Sequence, residues 1–416
     1  MKLRNIESFQ KLSIMRRILF VTMLSFLAIS GWGQLKQVSG TVTDAVTDKP
    51  IAGVSITAEG LSVVTNEDGF FTLKCGQETD AVVASHVGYH SQRIKLGGQE
   101  GQLSIKLKPA TIQLREVLVR ADNPRNLLLT AIDKITTNYS RQPELYRCFY
   151  REKAMKHQHY ISVAEGVIDM YKTGYRHGTA RDRVAISKGR RLLSSKQSDT
   201  LGVKVLGGPV EPIILDLVKN TDLLLTADEL KLYELKMETP TMIADRQQYV
   251  IRIKPQVATD YALYSGLLYI DQETLAFTRA ELSLDMSDRD KATRVMLVKK
   301  PAGVRFRPKE LSFVVDYRYG ADGVMRMSYI RTTFRFNCDW KRRLFATSFA
   351  AFCEMAVTST SHDNVQPISG RESFDQRDAF FDKVDYFRDP TFWQDYNIIE
   401  PSESLDKAVH RLLKKY

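Results

Sequence analysis

Short alternating runs of apolar and polar residues fill a long stretch near the start of the chain, and turn residues separate each run from the next. Val54, Ile56 and Ala58 show the pattern, because side chains two residues apart share one face of a strand. Asn66–Gly69 predicts a tight hairpin turn, since its glycine tolerates the positive φ angle that other residues resist. About seven such runs at short intervals predict a seven-stranded antiparallel β-sandwich over residues 36–108.

Four blocks of this segment occur in a recognisable order: SGTVTD, KPIAGVSI, TNEDGFFTL and VVASHVGY. Together they resemble the carboxypeptidase-regulatory-like domain, a transthyretin-like sandwich. The resemblance implies a domain that is common near the start of exported Gram-negative proteins, including TonB-dependent receptors. Nothing after it resembles the zinc catalytic domain of metallocarboxypeptidases, so carboxypeptidase activity is not expected despite the domain name. The roughly 290 residues that remain are also too few for a receptor plug and a barrel of about 22 strands.

A basic and apolar segment at the start of the chain predicts export. Met15–Arg17 is basic, Ile18–Ile29 is apolar, and the small residues Gly31 and Gly33 follow. This order is typical of a secretory signal, which we place at residues 1–33 with a polar extension at its front. The apolar run is shorter than the roughly 20 residues of a spanning helix. We therefore expect no transmembrane helix after signal cleavage, and a location in the periplasm, with or without attachment to the outer membrane.

A linker at residues 109–124 precedes a change of periodicity. Leu128, Ile132 and Ile135 recur at helical spacing, which predicts one amphipathic helix over Arg125–Tyr139. Long alternating runs joined by turns follow it and predict an up-and-down meander. We predict that residues 125–370 form an α+β domain, with a long antiparallel curved sheet, or half-barrel, and a covering helix. The whole fold is then mainly β.

One hairpin of this second domain carries a further resemblance. The block from Tyr264 to Asp271, followed by a returning run that ends at Leu284, resembles the corresponding hairpin of lipoprotein-carrier-like half-barrels. In those proteins this surface faces the ligand. The resemblance therefore makes Tyr264, Leu268, Leu282 and Leu284 candidates for a ligand or partner surface. The whole region Asn123–Tyr416 also looks like an uncharacterised region that follows the regulatory-like domain in other exported proteins, and this resemblance implies no activity.

Residues 371–416 are dense in aromatic side chains and end in a predicted helix capped near Ser402. Aromatic side chains bring a large contact area at a low entropy cost. The segment therefore either wraps the edge of the half-barrel or docks a partner, and Phe392 and Trp393 are the candidate partner contacts.

The acidic and histidine residues of the predicted first hairpin are the best candidates for catalysis. His157 and His159 alternate near Glu152, and Glu165 and Asp169 share one strand face. Paired carboxylates can perform acid–base chemistry. A solvated hairpin tip and a wet strand edge are the favoured interpretations, because the chain contains no nucleophile elbow, phosphate loop or HExxH helix. We predict no catalytic residue and no cofactor.

His86 and His90 share one face of a strand if that strand continues so far, but a metal site needs a third ligand. We predict no metal there. Four cysteines without a CxxC pair argue against a zinc ribbon or a redox site. Cys338 and Cys353 could meet across neighbouring strands, and four separate buried thiols are the alternative.

The formal net charge is +11, but the basic clusters Lys188–Arg191 and Lys341–Arg343 are short. Without a basic stripe and interleaved aromatic residues we expect no nucleic-acid binding. The leading hypothesis is a non-enzymatic exported envelope protein with a binding or accessory role, which holds a lipid or other apolar ligand or an envelope partner protein. The alternative is a hydrolase acting on envelope glycan or peptide, and a third hypothesis is a structural scaffold.

Overall fold

The computed structural model of the chain describes residues 35–97, 101–110, 123–194, 206–298, 302–340, 346–386, 392–393 and 396–413. The predicted signal at residues 1–33 and the basic cluster Lys341–Arg343 lie outside the described residues. Within the described part, no helix combines the length and the apolar character that crossing a bilayer requires.

Seven strands form the N-terminal sandwich. They are β1 (Lys36–Asp44), β2 (Ser55–Ala58), β3 (Leu61–Val64), β4 (Phe70–Cys75), β5 (Ala81–Ser85), β6 (Gln92–Lys95) and β7 (Leu103–Leu107). One sheet has the order β4-β1-β7 and the other β3-β2-β5-β6. The pairs are antiparallel except for β1 and β7, which run parallel because β7 returns to this sheet from the other one. The predicted sandwich is confirmed, with this one parallel pair inside it.

Alternation produces the core of the sandwich, as the sequence indicates. In β2 the side chains of Ile56 and Ala58 are buried, while Ser55 and Thr57 on the opposite face are half-buried. The predicted hairpin turn ends at Gly69, whose φ angle is 72°. A Cβ atom there would lie 2.4 Å from the carbonyl oxygen of Val42, so only glycine fits.

Eleven strands form one large, curved and unclosed sheet. They are β8 (Glu144–Lys156), β9 (His159–Lys172), β10 (Arg183–Leu193), β11 (Tyr233–Ile243), β12 (Arg246–Pro255), β13 (Tyr264–Asp271), β14 (Phe277–Leu284), β15 (Val304–Tyr319), β16 (Met325–Trp340), β17 (Thr347–Ser361) and β18 (Asp385–Tyr386). Their order is β11-β12-β13-β14-β15-β16-β17-β8-β9-β10-β18, and only the short β18 pairs in parallel. The predicted long antiparallel half-barrel is confirmed.

Short helices cover the face of this sheet that we call the inner face. They are α1 (Pro124–Asp133), α2 (Ile135–Asn138), α3 (Glu211–Ile214), α4 (Ala227–Leu230) and α5 (Arg289–Met296), with 3₁₀ turns at Tyr175–His177, Gly208–Val210 and Thr221–Leu223. α6 (Phe380–Lys383) and α7 (Glu403–Leu413) lie in the tail. The predicted covering helix is present as α1 and α2, which Lys134 separates.

The inner face carries a large apolar cluster. Leu128 of α1 and Tyr139 after α2 join Ile168, Ile251 and Met355 of the sheet there, and all five are nearly inaccessible to solvent. The hydroxyl of Tyr139 donates to the carbonyl oxygen of Phe277 at 2.5 Å. The helices therefore seal this face.

The opposite, outer face of the sheet carries the sandwich and the tail. The hydroxyl of Ser62 in β3 donates to the carbonyl oxygen of Val357 in β17 at 2.5 Å. Asn397 of the tail exchanges two hydrogen bonds with the backbone of Lys74 in β4, at 2.7 and 3.0 Å. The chain therefore folds back so that its last residues lie between its first domain and its second.

The tail passes around the β10 edge of the sheet. Phe380 is fully buried on the inner face, and its ring meets the ring of Tyr150 edge-on with 5.1 Å between the ring centres. Trp393 is buried on the outer face and meets Phe149 edge-on at 5.6 Å. The described residues of the tail thus contact both faces of the sheet, and the wrapping of the edge stays a prediction.

A buried guanidinium fixes the tail to the outer face. Arg151 of β8 is 2% exposed, and its Nε donates to Glu165 at 2.7 Å. Its Nη1 lies 3.4 Å from Glu354, and its Nη2 donates to the carbonyl oxygen of Ile399 at 2.6 Å. One side chain thus joins three strands and the tail.

Replacing Arg151 with methionine should lower the free energy of unfolding by about 3–5 kcal/mol, because Glu165 and Glu354 each lose a buried cationic partner and the carbonyl of Ile399 loses a donor. The matched control is Arg147→Met on the same strand face, whose exposed pair with Asp169 at 3.0 Å should contribute no more than about 1 kcal/mol. Urea unfolding followed by tryptophan fluorescence measures both. Equal losses in the two variants would contradict the assignment.

Candidate binding cleft

A cavity of about 340 Å³ lies between the sandwich and the outer face of the large sheet. Residues of β2, β3 and β5 line one wall, and residues of β12, β14, β15 and β16 line the other. A second cavity of about 130 Å³ adjoins it toward the tail, and the two share Gly53, His86, Arg279, Asp316 and Tyr329. We call this continuous space the cleft.

The sandwich wall of the cleft is rich in hydroxyl groups. Ser55 and Thr57 of β2 and Ser85 of β5 line it, on the face opposite to the sandwich core. The alternation that buries Ile56 and Ala84 in the core is what turns these small polar side chains toward the large sheet. The wall therefore offers several hydrogen-bond donors and acceptors on small side chains.

The sheet wall is charged, and most of its charges are paired. Arg279 donates to Asp316 and to Glu281, both at 2.6 Å. Arg246 holds Asp271 with two hydrogen bonds, at 2.5 and 2.9 Å. These carboxylates are neutralised within the protein.

His86 stands at the junction of the two cavities. It follows the last residue of β5, and its ring contacts Tyr89 edge-on at 5.6 Å. Burial, followed by the nearby charge of Arg279, lowers the pKa of His86. His90 points elsewhere and meets Asp245 at 3.4 Å, so these two histidines do not form a common site.

Arg318 of β15 differs from Arg246 and Arg279, the other arginines that line the larger cavity. Its Nη1 atom is shielded from solvent and has no hydrogen-bond partner within the described residues. Burial, followed by the nearby charge of Arg326, lowers the pKa of Arg318 to about 10, whereas the phenol of Tyr146 acts in the opposite sense. A guanidinium in such surroundings is a strong donor that lacks an acceptor.

The two domains also touch at the rims of the cleft. The amide of Gly88 donates to the carbonyl oxygen of Met242 at 2.8 Å. The amide of Ser91 donates to Asp245 at 3.1 Å. At the other end, Asn66 donates to the carbonyl oxygen of Pro401 at 2.9 Å. These contacts hold the walls apart by a fixed distance.

The predicted ligand residues of the second domain lie on the inner face. Leu268 is 0% and Leu282 1% exposed, and both belong to the apolar cluster under the helices. Leu284 is packed against α5, and the half-buried Tyr264 meets Phe313 edge-on at 5.4 Å. The structure thus brings these four together, and their assignment to a ligand surface stays a prediction.

Phe392 and Trp393 lie apart from that set, on the outer face. Phe392 is half-buried, and the ammonium of Lys188 lies 4.2 Å from its ring centre. The guanidinium of Arg190 lies 4.8 Å from the ring of Trp393. Both aromatic residues are engaged within the chain, and their role in docking a partner also stays a prediction.

The acidic candidates for catalysis do not converge. Glu152 lies on the inner face, whereas Glu165 and Asp169 lie on the outer face, where each is held by an arginine. His157 and His159 are exposed at the hairpin tip. The wet-edge interpretation is wrong for Glu165, which is 5% exposed because the sandwich and tail cover that face.

The four cysteines are free, and three of them are buried. Cys338 pairs in register with Thr347, and Cys353 with Thr332, so the two cysteines do not meet across the strands. The alternative of four separate thiols is therefore the correct one. Among the described residues, no three His, Cys, Asp or Glu side chains are grouped in a way that could hold a metal ion.

The comparison of the sequence with protein families identifies the first domain. Residues 38–119 match the family of the CarboxypepD_reg-like domain. This confirms the resemblance carried by the four sequence blocks. No curated protein matches the sequence of the chain.

Solved structures similar to this chain share little sequence with it. A DUF1329 family protein from Desulfovibrio piger is 9% identical over 59% of this chain and 95% of its own length, with a TM-score of 0.26. A LolA superfamily protein from Nitrosomonas europaea is 12% identical over 55% of this chain and 92% of its own length, with a TM-score of 0.18. TM-scores this low assign no activity to the chain.

A buried pair of carboxyl groups lies on the inner face, away from the cleft. Burial raises the pKa of Glu152 to about 8, and burial together with Glu152 raises the pKa of Glu211 to about 8. Glu152 accepts a hydrogen bond from the hydroxyl of Tyr150 at 2.8 Å, whereas Glu211 Oε2 finds no donor within the described residues. Both groups therefore hold a proton at neutral pH in the folded chain and release it on unfolding.

The free energy of unfolding should fall as the pH rises from about 4.5 to about 8, because the folded chain binds more protons than the unfolded chain in that window. Each group contributes a slope of up to about 1.4 kcal/mol per pH unit. Glu152→Gln and Glu211→Gln should each flatten the profile, and Glu234→Gln at an exposed position of β11 is the control. Urea unfolding at pH 5, 6, 7 and 8 measures the slopes; an unchanged slope in both core variants would refute the assignment.

Proposed function

We propose that this chain is a non-enzymatic exported protein that binds a small polar ligand in the cleft between its two domains. The observation that carries the proposal is the cavity of about 340 Å³ with walls from both domains. Its size falls in the range of small-molecule sites, roughly 300–1,000 Å³, and such sites are frequent at domain interfaces.

Polar groups on both walls support a ligand that carries hydrogen-bonding groups. Hydroxyl groups of Ser55, Thr57 and Ser85 face the charged outer side of the sheet, so a ligand in between meets donors and acceptors on both sides. The aromatic ring of Tyr329 lines both cavities and supplies a flat contact. An apolar ligand under the helices would instead have to displace Leu268 and Leu282 from a filled core, at the cost of the contacts they make there.

Binding agrees better than hydrolysis with the state of the acidic groups in the cleft. Asp271 and Asp316 are each paired with an arginine. Burial opposes ionisation of Asp271, but the hydrogen bonds from Arg246 and Thr274 outweigh it and lower the pKa of Asp271, which favours the carboxylate that cannot donate a proton. The candidates Glu152 and Glu165 lie on opposite faces of the sheet. These four groups therefore do not form the convergent acid and base that the hydrolase alternative requires.

Export and an envelope location form part of the same proposal. They are supported by the predicted signal at residues 1–33 and by the family of the first domain, which is common in exported proteins. The first domain then has a direct role as one wall of the site.

Filling the cleft should abolish ligand retention. Ser85→Trp introduces a large ring at the sandwich wall, and Ser104→Trp is the matched control on the exposed face of β7. Native mass spectrometry, after incubation with a small-molecule extract of a Gram-negative envelope, should show an added mass on the wild type and on the control only. An added mass that persists in Ser85→Trp, or no added mass on the wild type, would overturn the proposal.

A further inference from the structure

We propose that Arg318 makes the cleft an oxyanion site, so that the ligand is a small polar molecule that carries a carboxylate or phosphate group. This inference rests on the proposed function, since it names the class of ligand for the same cleft. It starts from the contrast between Arg318 and the other arginines around it.

Three nearby arginines, Arg246, Arg279 and Arg326, each form ion pairs with carboxylates. Arg246 and Arg279 of the sheet wall hold Asp271 and Asp316. Arg326, which lies opposite Arg318 in the β15–β16 register, binds Glu144 at 2.8 Å and Asp322 at 2.7 Å. Nη1 of Arg318 has no hydrogen-bond partner within the described residues.

An unpaired guanidinium is costly in such a place. A buried donor without an acceptor loses its hydration and recovers nothing from the protein. The packing would tolerate an apolar side chain at this position more easily than a charged one. A residue that lowers the stability of the fold and lines a cavity is explained by a role in function, since it has none in folding.

The charges that face Arg318 leave it uncompensated. Within the cavity lining, the acidic groups are Asp245, Asp271 and Asp316. Asp271 and Asp316 are paired with Arg246 and Arg279, and the half-exposed Asp245 lies 3.4 Å from His90. The remaining cationic group of the lining, His86, is kept neutral by its lowered pKa. Two lining groups lack a hydrogen-bond partner among the described residues, the hydroxyl of Ser91 and Nη1 of Arg318, and the positive charge of Arg318 favours an anion.

A planar guanidinium matches the two-oxygen edge of a carboxylate or a phosphate, which can accept two parallel hydrogen bonds. An anionic group held by Arg318 would leave the rest of the ligand in the cavity it shares with Ser55, Thr57 and Ser85. Hydroxyl or amide groups on the ligand would find partners there. Arg318 would thus bind the anionic group of the ligand, and the hydroxyl groups of the facing wall would bind the polar remainder.

The experiment uses acetate and inorganic phosphate as probes, each titrated against chloride at constant ionic strength. The variants are Arg318→Met, Arg318→Lys and the control Arg252→Met, which removes an exposed arginine of β12 that pairs with Glu238. Isothermal titration calorimetry gives the affinities, and thermal unfolding without added oxyanion gives the basal stability of each variant.

We expect at least one probe to bind the wild type and Arg252→Met equally, and to bind Arg318→Met at least tenfold more weakly. Arg318→Lys keeps the charge but loses the two-point geometry, so its affinity should be intermediate. Arg318→Met should unfold at the same temperature as the wild type or higher, because it removes an unpaired buried donor. That result also shows that the variant is folded.

Binding of phosphate alone would assign a phosphorylated ligand, and binding of acetate would assign a carboxylate. Equal affinities in the wild type and Arg318→Met, or a strong loss of basal stability in Arg318→Met, would overturn the inference and make Arg318 a structural residue. If Ser85→Trp abolishes retention of an envelope molecule that Arg318→Met still retains, the oxyanion assignment fails while the cleft function stands. If the wild type retains no molecule, the proposed function fails as well.

Discussion

The buried contact of Arg151 with Glu165, Glu354 and the tail carbonyl of Ile399 is the interaction on which the rest of the structure depends. A sheet of this size has two faces, and the outer one is lined with charges that are costly to cover. Arg151 makes the covering possible because it satisfies the acidic neighbours and a backbone oxygen at once. The tail and the sandwich can then lie on a face that would otherwise remain in water.

The helices on the inner face and the sandwich on the outer face give the two sides of the sheet different environments. Helices with apolar stripes close the inner face around residues such as Leu128 and Met355, and side chains fill the space between. The sandwich meets the outer face through hydrogen bonds, such as that from Gly88 to Met242, and through Val64 of β3, which joins an apolar cluster with Phe149 and Trp393. The cleft is the space that remains beside these contacts.

Within the cleft, pairing decides which charges are available. Arg246 and Arg279 are neutralised by aspartates and only line the cleft, whereas Nη1 of Arg318 has no hydrogen-bond partner among the described residues. Three arginines on the outer face of one sheet thus differ in function: two form ion pairs and one keeps a donor for a ligand. Residue type is the same in all three, so the difference comes from the side chains that surround each arginine.

The sequence by itself determined the strand-rich architecture, because alternation such as Ile56 with Ser55 and Thr57 depends only on the period of a strand. It also determined the covering helix and the family of the first domain. It did not determine what covers each face, so it predicted Glu165 at a wet edge. The cleft was beyond its reach, because Ser85 and Arg318 are distant in the chain and share a cavity only after the tail has fixed the sandwich to the sheet. Periodicity assigns a side chain to a face, and only tertiary packing decides what that face meets.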